Sequence, residues 1–157
     1  RAHGWSKRPI VEMLIPSLVD DSLAPPGQHV ASLFAQHFDP ALADWDTHRA
    51  AAADAVLDTV EAFAPGFREL IVGQVALSPL DLERRFGLVG GDIFHGRMSL
   101  DQLWANRPLS GLGSHRMPLD GLWLCGSGAH PGGGVSGRPG RNCAKAMLAR
   151  RKPPLPR

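Results

Sequence analysis

No apolar run in the 157 residues approaches the roughly 18 that a membrane span needs, and the first residues lack the apolar stretch of a secretory leader. The expectation is a chain with no integral membrane segment, in a reducing compartment: the cytoplasm, or the mitochondrial matrix in a eukaryote. Cysteine is scarce. Cys125 and Cys143 form neither a CxxC pair nor a pattern with metal-ligand spacing, so reduced, buried thiols are expected. Charge of one sign is lacking too. Lys and Arg number 17 against 15 Asp and Glu, a net of +2, and no overall field draws the chain to nucleic acid or to an anionic membrane. His95, His115, His130 and Cys125 are too widely separated for paired zinc spacing, so no metal is expected. No basic stripe runs between Trp45, Trp104 and Trp123, which reads them as core or pocket wall rather than as a base-stacking platform.

What is present suits a folded domain. Apolar residues make up 43 % and charged residues 20 % of the chain, ordinary values for a globular protein long enough to bury a core. The chain opens at Arg1, without a methionine and close to strand-forming sequence, which leads us to expect further sequence upstream. Ile10 to Ile15 and His29 to Phe38 are β-compatible runs separated by Pro25, Pro26 and Gly27, residues suited to a reversal, and two antiparallel strands are expected. From Asp44 to Phe63 the residues Trp45, Ala52, Val56, Val60 and Phe63 recur near a period of 3.6, with Asp44 and Asp46 at the start and Pro65-Gly66 beyond. This is a helix lying across the strands.

Leu70 to Leu77 is a further candidate strand. Ser78, Pro79 and Asp81 then supply an N-cap, a proline in the first turn and a capping-box acid for a short helix ending at Gly87. Its mixed run of Asp81, Glu83, Arg84 and Arg85 reads as a solvated face. Glycines and prolines keep Leu88 to Leu119 irregular, with a turn of helix at Leu100 to Trp104. Leu122 to Cys125 reads as a strand covered on both faces. A last helix runs from Gly140 to Arg151, with Ala144, Met147 and Leu148 on one side, cations at its end and Pro153-Pro154 after it. The tail is too short and proline-rich to pack, and its value as a polyproline ligand rests on composition alone.

Between Gly126 and Gly140 there are seven glycines in fifteen residues, set between the apolar run and the last helix. Glycine in such number is entropically costly. It is kept where the backbone takes a positive φ or approaches a ligand closely. A strand, glycine turn and helix also aim unpaired N–H groups and the positive helix end at one point, which favours a phosphate or an electron-rich oxygen. A flexible loop that merely reverses the chain would use the same residues. The match of Gly132 to Gly137 to GxGxxG is nearly automatic in so glycine-rich a run, and a full Rossmann fingerprint would need a second parallel strand and an acid about 20 residues on, which the chain does not contain.

The run from Gly121 to Ala144 resembles the closing motif of carotenoid (phytoene) desaturase-like flavoproteins, which share the amine-oxidase FAD fold. Within them the likeness is to the group of pyridine nucleotide-disulfide oxidoreductase domain-containing protein 2. Supporting matches lie at Ile15 to Ser17, Asp21 to Gly27, Gly90 to His95, Met98 to Leu103 and Arg107-Pro108, so the resemblance spans nearly the whole chain. It implies a fold class of α/β, more narrowly an α+β fragment: antiparallel substrate-domain strands with a covering helix, then the last strand, glycine loop and helix of an FAD-binding domain. Residues 1–120 would belong to the substrate-binding region, 121–152 to the FAD-binding segment, and 153–157 to a disordered tail.

By the same resemblance Gly126, Ser127 and Gly128 would approach the ribityl or pyrophosphate of FAD. Gly132, Gly133, Gly134, Val135 and Ser136 would lie near the isoalloxazine, with His130 and Pro131 shaping the turn. Arg138 departs from the small residue usual there. His95, in the glycine-flanked run Gly90 to Gly96, is a candidate to face the cavity, set against the simpler reading of a loop histidine bonded to nearby backbone. The activity implied is hydride transfer from a small-molecule substrate to flavin, for which no catalytic residue is assigned. The family's first FAD element, a strand with GxGxxG, is absent here. The resemblance therefore implies an upstream FAD-binding region as partner, and a chain that is inactive alone. A non-catalytic interaction module and a self-contained nucleotide binder are the competing readings.

Overall fold

The computed structural model describes residues 4–149 and combines two antiparallel strands with three α-helices, an α+β arrangement. The backbone divides into two compact units between Arg85 and Phe86.

In the first unit, strands β1 (Trp5–Leu14) and β2 (Ser32–Phe38) pair antiparallel, with Leu14 opposite Ser32 and Ile10 opposite Gln36. The register breaks between Trp5 and Ile10. Pro9 falls inside that break, where its missing N–H costs no ladder bond. The reversal at Pro25, Pro26 and Gly27 forms as expected: the Gln28 amide donates to the Pro25 carbonyl at 3.0 Å, and Gly27 takes φ +78°. That is glycine's place in a type II turn after proline. Side chains alternate across the pleat, leaving Val11, Leu33 and Ala35 half-buried and Ile10 and Leu14 exposed.

Helix α1 (Trp45–Phe63) packs on β1. Its anchor is Trp45, 1 % exposed, whose ring lies 6.0 Å from that of Trp5 and 6.2 Å from that of Phe38, while its indole N–H donates to the Asp39 carbonyl at 3.0 Å. Ala52, Leu57 and Val60 complete the buried stripe. Phe63, expected on that stripe, is exposed, because the stripe ends one turn earlier and passes through Leu57 instead. Asp46 lies in the first turn, but Asp44 precedes the helix at φ +57° and makes no side-chain cap.

The expected strand at Leu70 to Leu77 does not form. Arg68–Leu70 is a 3-10 turn, and the residues after it have no partner strand among the described residues, with Val72 and Val75 exposed. Helix α2 (Pro79–Phe86) starts as its sequence dictates. The Ser78 amide donates to Asp81 Oδ2 at 2.8 Å and the Asp81 amide donates to the Ser78 hydroxyl at 3.2 Å, a reciprocal box that satisfies two orphan donors. Gly87, at φ +69°, ends it. The charged run is not merely solvated. Arg49 of α1 grips Asp81 through two donors at 2.7 and 2.8 Å, and Arg84 pairs with Asp46 at 2.9 Å.

The second unit is loop-rich. Three short 3-10 turns, Val89–Gly91, Leu100–Gln102 and Trp104–Asn106, precede helix α3 (Arg138–Ala149). The expected strand at Leu122 to Cys125 is reduced to one antiparallel bridge, Arg116 to Trp123, flanked by the bonds Leu124 N–H to His115 O at 2.8 Å and Met117 N–H to Leu122 O at 3.1 Å. With no further strand beside it among the described residues, the ladder stops there. Helix α3 begins two residues before Gly140 and buries Pro139 and Cys143, while Met147 and Leu148, on the expected apolar side, are exposed. The cations expected at its end, Arg150 to Lys152, and the proline-rich tail lie outside the described residues.

Candidate functional site

The glycine segment is built as two consecutive turns followed by an open bend. The Ala129 amide donates to the Gly126 carbonyl at 3.0 Å and the Gly132 amide to the Ala129 carbonyl at 2.8 Å. Beyond that point, among the described residues, the amides of Gly133, Gly134, Val135, Ser136 and Gly137 donate to nothing, and the chain enters α3 with Arg138 N–H bonded to the Ser136 hydroxyl at 3.3 Å. Gly132, Gly134 and Gly137 take φ of +103°, +119° and +66°. Val135 between them takes φ +52°, a conformation adverse to a β-branched residue, and its side chain is fully exposed. Polar backbone without a partner and an apolar side chain without cover thus occur together at the mouth of a helix.

The glycines divide by what surrounds them. A Cβ on Gly133 would collide with Cδ1 of Phe94 and lie 3.0 Å from its Cε1, and one on Gly132 would lie 3.0 Å from the Met98 sulfur and 3.4 Å from Arg107 Nε. These two are glycines because protein packs against them. At Gly126, Gly134 and Gly137 an added Cβ would meet nothing within 4 Å. Gly128 is intermediate, 3.6 Å from the His95 carbonyl.

Behind the turns lies Arg107, 1 % exposed. Its Nε and Nη2 both donate to the Ser127 carbonyl, at 3.0 and 2.8 Å, and its remaining donors reach the carbonyls of Phe94 (2.6 Å), Gly96 (3.2 Å), Arg97 (3.3 Å) and Gln102 (3.3 Å). No carboxylate among the described residues pairs with it. Asp92 secures the same loop, accepting from the amides of Phe94 at 2.8 Å and Gly96 at 2.9 Å. In the sequence Arg107 stands out only within the Arg107-Pro108 motif, because main-chain acceptors carry no mark there.

The other candidate residues are placed as follows. His130 Nδ1 is buried with no hydrogen-bond partner, an orphaned polar atom inside the glycine segment. His95 is exposed at φ +53°. His115 Nδ1 lies 3.0 Å from the Leu124 carbonyl, which can only accept, so that nitrogen carries the proton and the ring serves the bridge. Trp104, expected in a core or pocket wall, is 62 % exposed. Of the two thiols Cys143 is buried but Cys125 is exposed, contrary to the expectation of two buried thiols. Burial pushes the Cys143 thiol up, and Cys125 adds to that. Among the described residues no His, Cys, Asp and Glu group could hold a metal, and no helix is long and apolar enough to cross a membrane. A concavity of about 120 Å³ lined by Lys7, Arg8, Asp58 and Phe63 belongs to the first unit and is far below the size of a cofactor pocket.

The segment offers a run of free amides, open space at Gly126 and Gly134, and an unpartnered histidine nitrogen. Comparison with known proteins adds what the chain is similar to. The chain is 54 % identical over 147 residues to pyridine nucleotide-disulfide oxidoreductase domain-containing protein 2 of Rattus norvegicus and 52 % identical over 147 residues to that of Mus musculus, each match covering 91 % of this chain and 25 % of the relative. It is 32 % identical over 129 residues to the lycopene-forming phytoene desaturase of Pseudescherichia vulneris, a match covering 78 % of this chain and 25 % of that protein. The chain thus spans about a quarter of the length of the curated relatives it matches, and the resemblance carried by its motifs holds over most of its length. No family model and no solved structure matches it.

Proposed function

We propose that this chain is the carboxyl-side portion of a phytoene-desaturase-like, FAD-dependent oxidoreductase and lends its glycine bend to a flavin site completed by other sequence. The observation that carries the reading is the run of unpartnered amides from Gly133 to Gly137 leading into α3. Bound FAD would supply the hydride acceptor for a C–H or C–N bond of a small-molecule substrate. The chain's own part is positional and electrostatic. The amides of Val135 and Ser136, with the positive end of α3 behind them, stabilise negative charge gathering on an electron-rich ligand. Gly126, Ser127 and Gly128 give close backbone approach, and His130 with Pro131 sets the turn between the two contacts. Arg138 adds a cation at the helix entrance. Residues 1–120 serve the substrate region and 121–152 the cofactor.

A chimera tests this: the 147-residue aligned portion of the rat protein is replaced by this chain, and the product and the chain alone are each titrated with FAD. A yellow chimera with stoichiometric flavin beside a colourless chain is the expected result, and a folded, colourless chimera ends the reading. The exposed Val72, Val75 and Val135 favour a second reading, a non-catalytic docking module. That reading gains if the chimera is soluble and binds no flavin.

A further inference from the structure

We propose that Arg107 is the positioning residue of the glycine bend: through the Ser127 carbonyl it fixes the backbone that presents the Gly133 to Gly137 amides, and it places an unneutralised positive charge behind them. The flavin reading enters only in what that charge acts upon.

A guanidinium out of water is tolerated when every donor is satisfied. Here satisfaction comes from five main-chain carbonyls and from no carboxylate among the described residues, so the hydrogen bonds are met while the charge is not cancelled. The acceptors lie on two separate stretches, Phe94 to Gln102 and Ser127, and one planar fork joins them. Only arginine offers that fork; lysine has the charge without the planar set of donors. Room for the group is made by glycine on both sides, since a Cβ on Gly96 would lie 3.6 Å from Nη1 and Nη2, and one on Gly132 would lie 3.4 Å from Nε. In a water-poor setting an uncancelled charge acts over longer distances than at the surface, and the bend is its immediate neighbour.

The test compares Arg107→Lys with Arg107→Gln. Hydrogen exchange of the chain, which needs no cofactor, should show the amides of Ala129 and Gly132, the two hydrogen-bonded ones in the glycine turns, exchanging at least tenfold faster in both variants, while those of 45–63 are unchanged. Arg116→Gln, which removes a surface pair with Asp120 in the same unit, should leave those two amides as they are. In the flavin-loaded chimera Arg107→Lys should hold the flavin midpoint potential near that of the parent. Arg107→Gln should shift the oxidised-to-reduced ratio about tenfold toward oxidised, ~30 mV for a two-electron couple.

Unchanged exchange in both variants overturns the positioning role, and equal potentials in Lys and Gln overturn the role of the charge. Should Arg107→Gln fail to fold, Gly132→Ala presses on the same guanidinium from the bend side. It should speed exchange of the Ala129 amide and of the amide at position 132 with 138–149 still protected, and no change there again sinks the proposal. A colourless chimera removes the flavin reading and leaves the exchange result to judge the clamp.

Discussion

Gly126 and Gly133 belong to one glycine run, yet alanine should act oppositely at the two. At Gly133 the new Cβ meets the Phe94 ring, and Phe94 cannot retreat as a unit. Its amide is held by Asp92 at 2.8 Å and its carbonyl by Arg107 at 2.6 Å. The ring must leave its position, and overpacking of this kind costs about 1–3 kcal/mol. At Gly126 there is open space and no positive φ, so alanine should stabilise by about 0.4–1 kcal/mol through the entropy of the unfolded chain. The two variants should therefore differ by about 1.4–4 kcal/mol. Denaturant-dependent hydrogen exchange over residues 94–133 measures this directly. The order reverses for the cofactor. In the chimera Gly126→Ala, which spares the fold, should weaken FAD binding tenfold or more, about 1.4 kcal/mol. If Gly126→Ala destabilises as much as Gly133→Ala, the division of the run into a packed half and an open half is wrong.

Asp81 gives a second measurable effect, in the first unit. Burial alone would raise its carboxyl, but donation from Arg49 and from the hydroxyl and amide of Ser78 brings it to about 2, below the ordinary 3.8. A folded-state value below the unfolded one means stability that is full above about pH 4 and is lost as pH falls toward 2. The difference is worth roughly 2 kcal/mol at most, and partial exposure trims it to ~1–2 kcal/mol. Asp81→Asn should cost that amount at pH 7 and flatten the acid limb of a urea-midpoint profile; a parallel profile would refute the assignment. Val135→Gly should stabilise the chain by about 1–2 kcal/mol by releasing left-handed strain, read as a higher denaturation midpoint, and an unchanged midpoint would show that no strain is stored there. A thiol reagent should modify Cys125 in the native chain and Cys143 only after unfolding, so simultaneous reaction of both would contradict their unequal burial.

Elements whose signals are local were legible in the sequence. The cap at Ser78 and Asp81, the stop at Gly87, the turn at Pro25 to Gly27 and the long helix from Trp45 each depend on residues within a few positions of one another. Strands depend on partners, and there the reading failed. Leu70 to Leu77 and Leu122 to Cys125 have β-forming composition, but no neighbour among the described residues takes up their backbone groups along a full ladder, and composition cannot report a missing neighbour. The glycine segment was visible as a whole, while its internal division was not. Whether Gly133 faces Phe94 or open space is decided by the fold of residues 94–102, more than thirty positions away. Arg107 escaped for the same reason, since its acceptors are main-chain carbonyls, which carry no mark in a sequence.

The two kinds of exposure in this chain bear on the same question. An apolar side chain as uncovered as Val135 costs solvation free energy. Free amides at 133–137 cost nothing in water, yet the bend that holds them at positive φ does cost conformational free energy. Neither expense is repaid within the described residues. A purely flexible loop would not place its strained residue between fixed neighbours, with one end tied to Arg107 and the other continued into a helix. The arrangement at 133–137 makes physical sense when an electron-rich ligand meets the amides and apolar sequence covers Val135, and for that reason flavin uptake and burial of Val135 should appear together in the chimera.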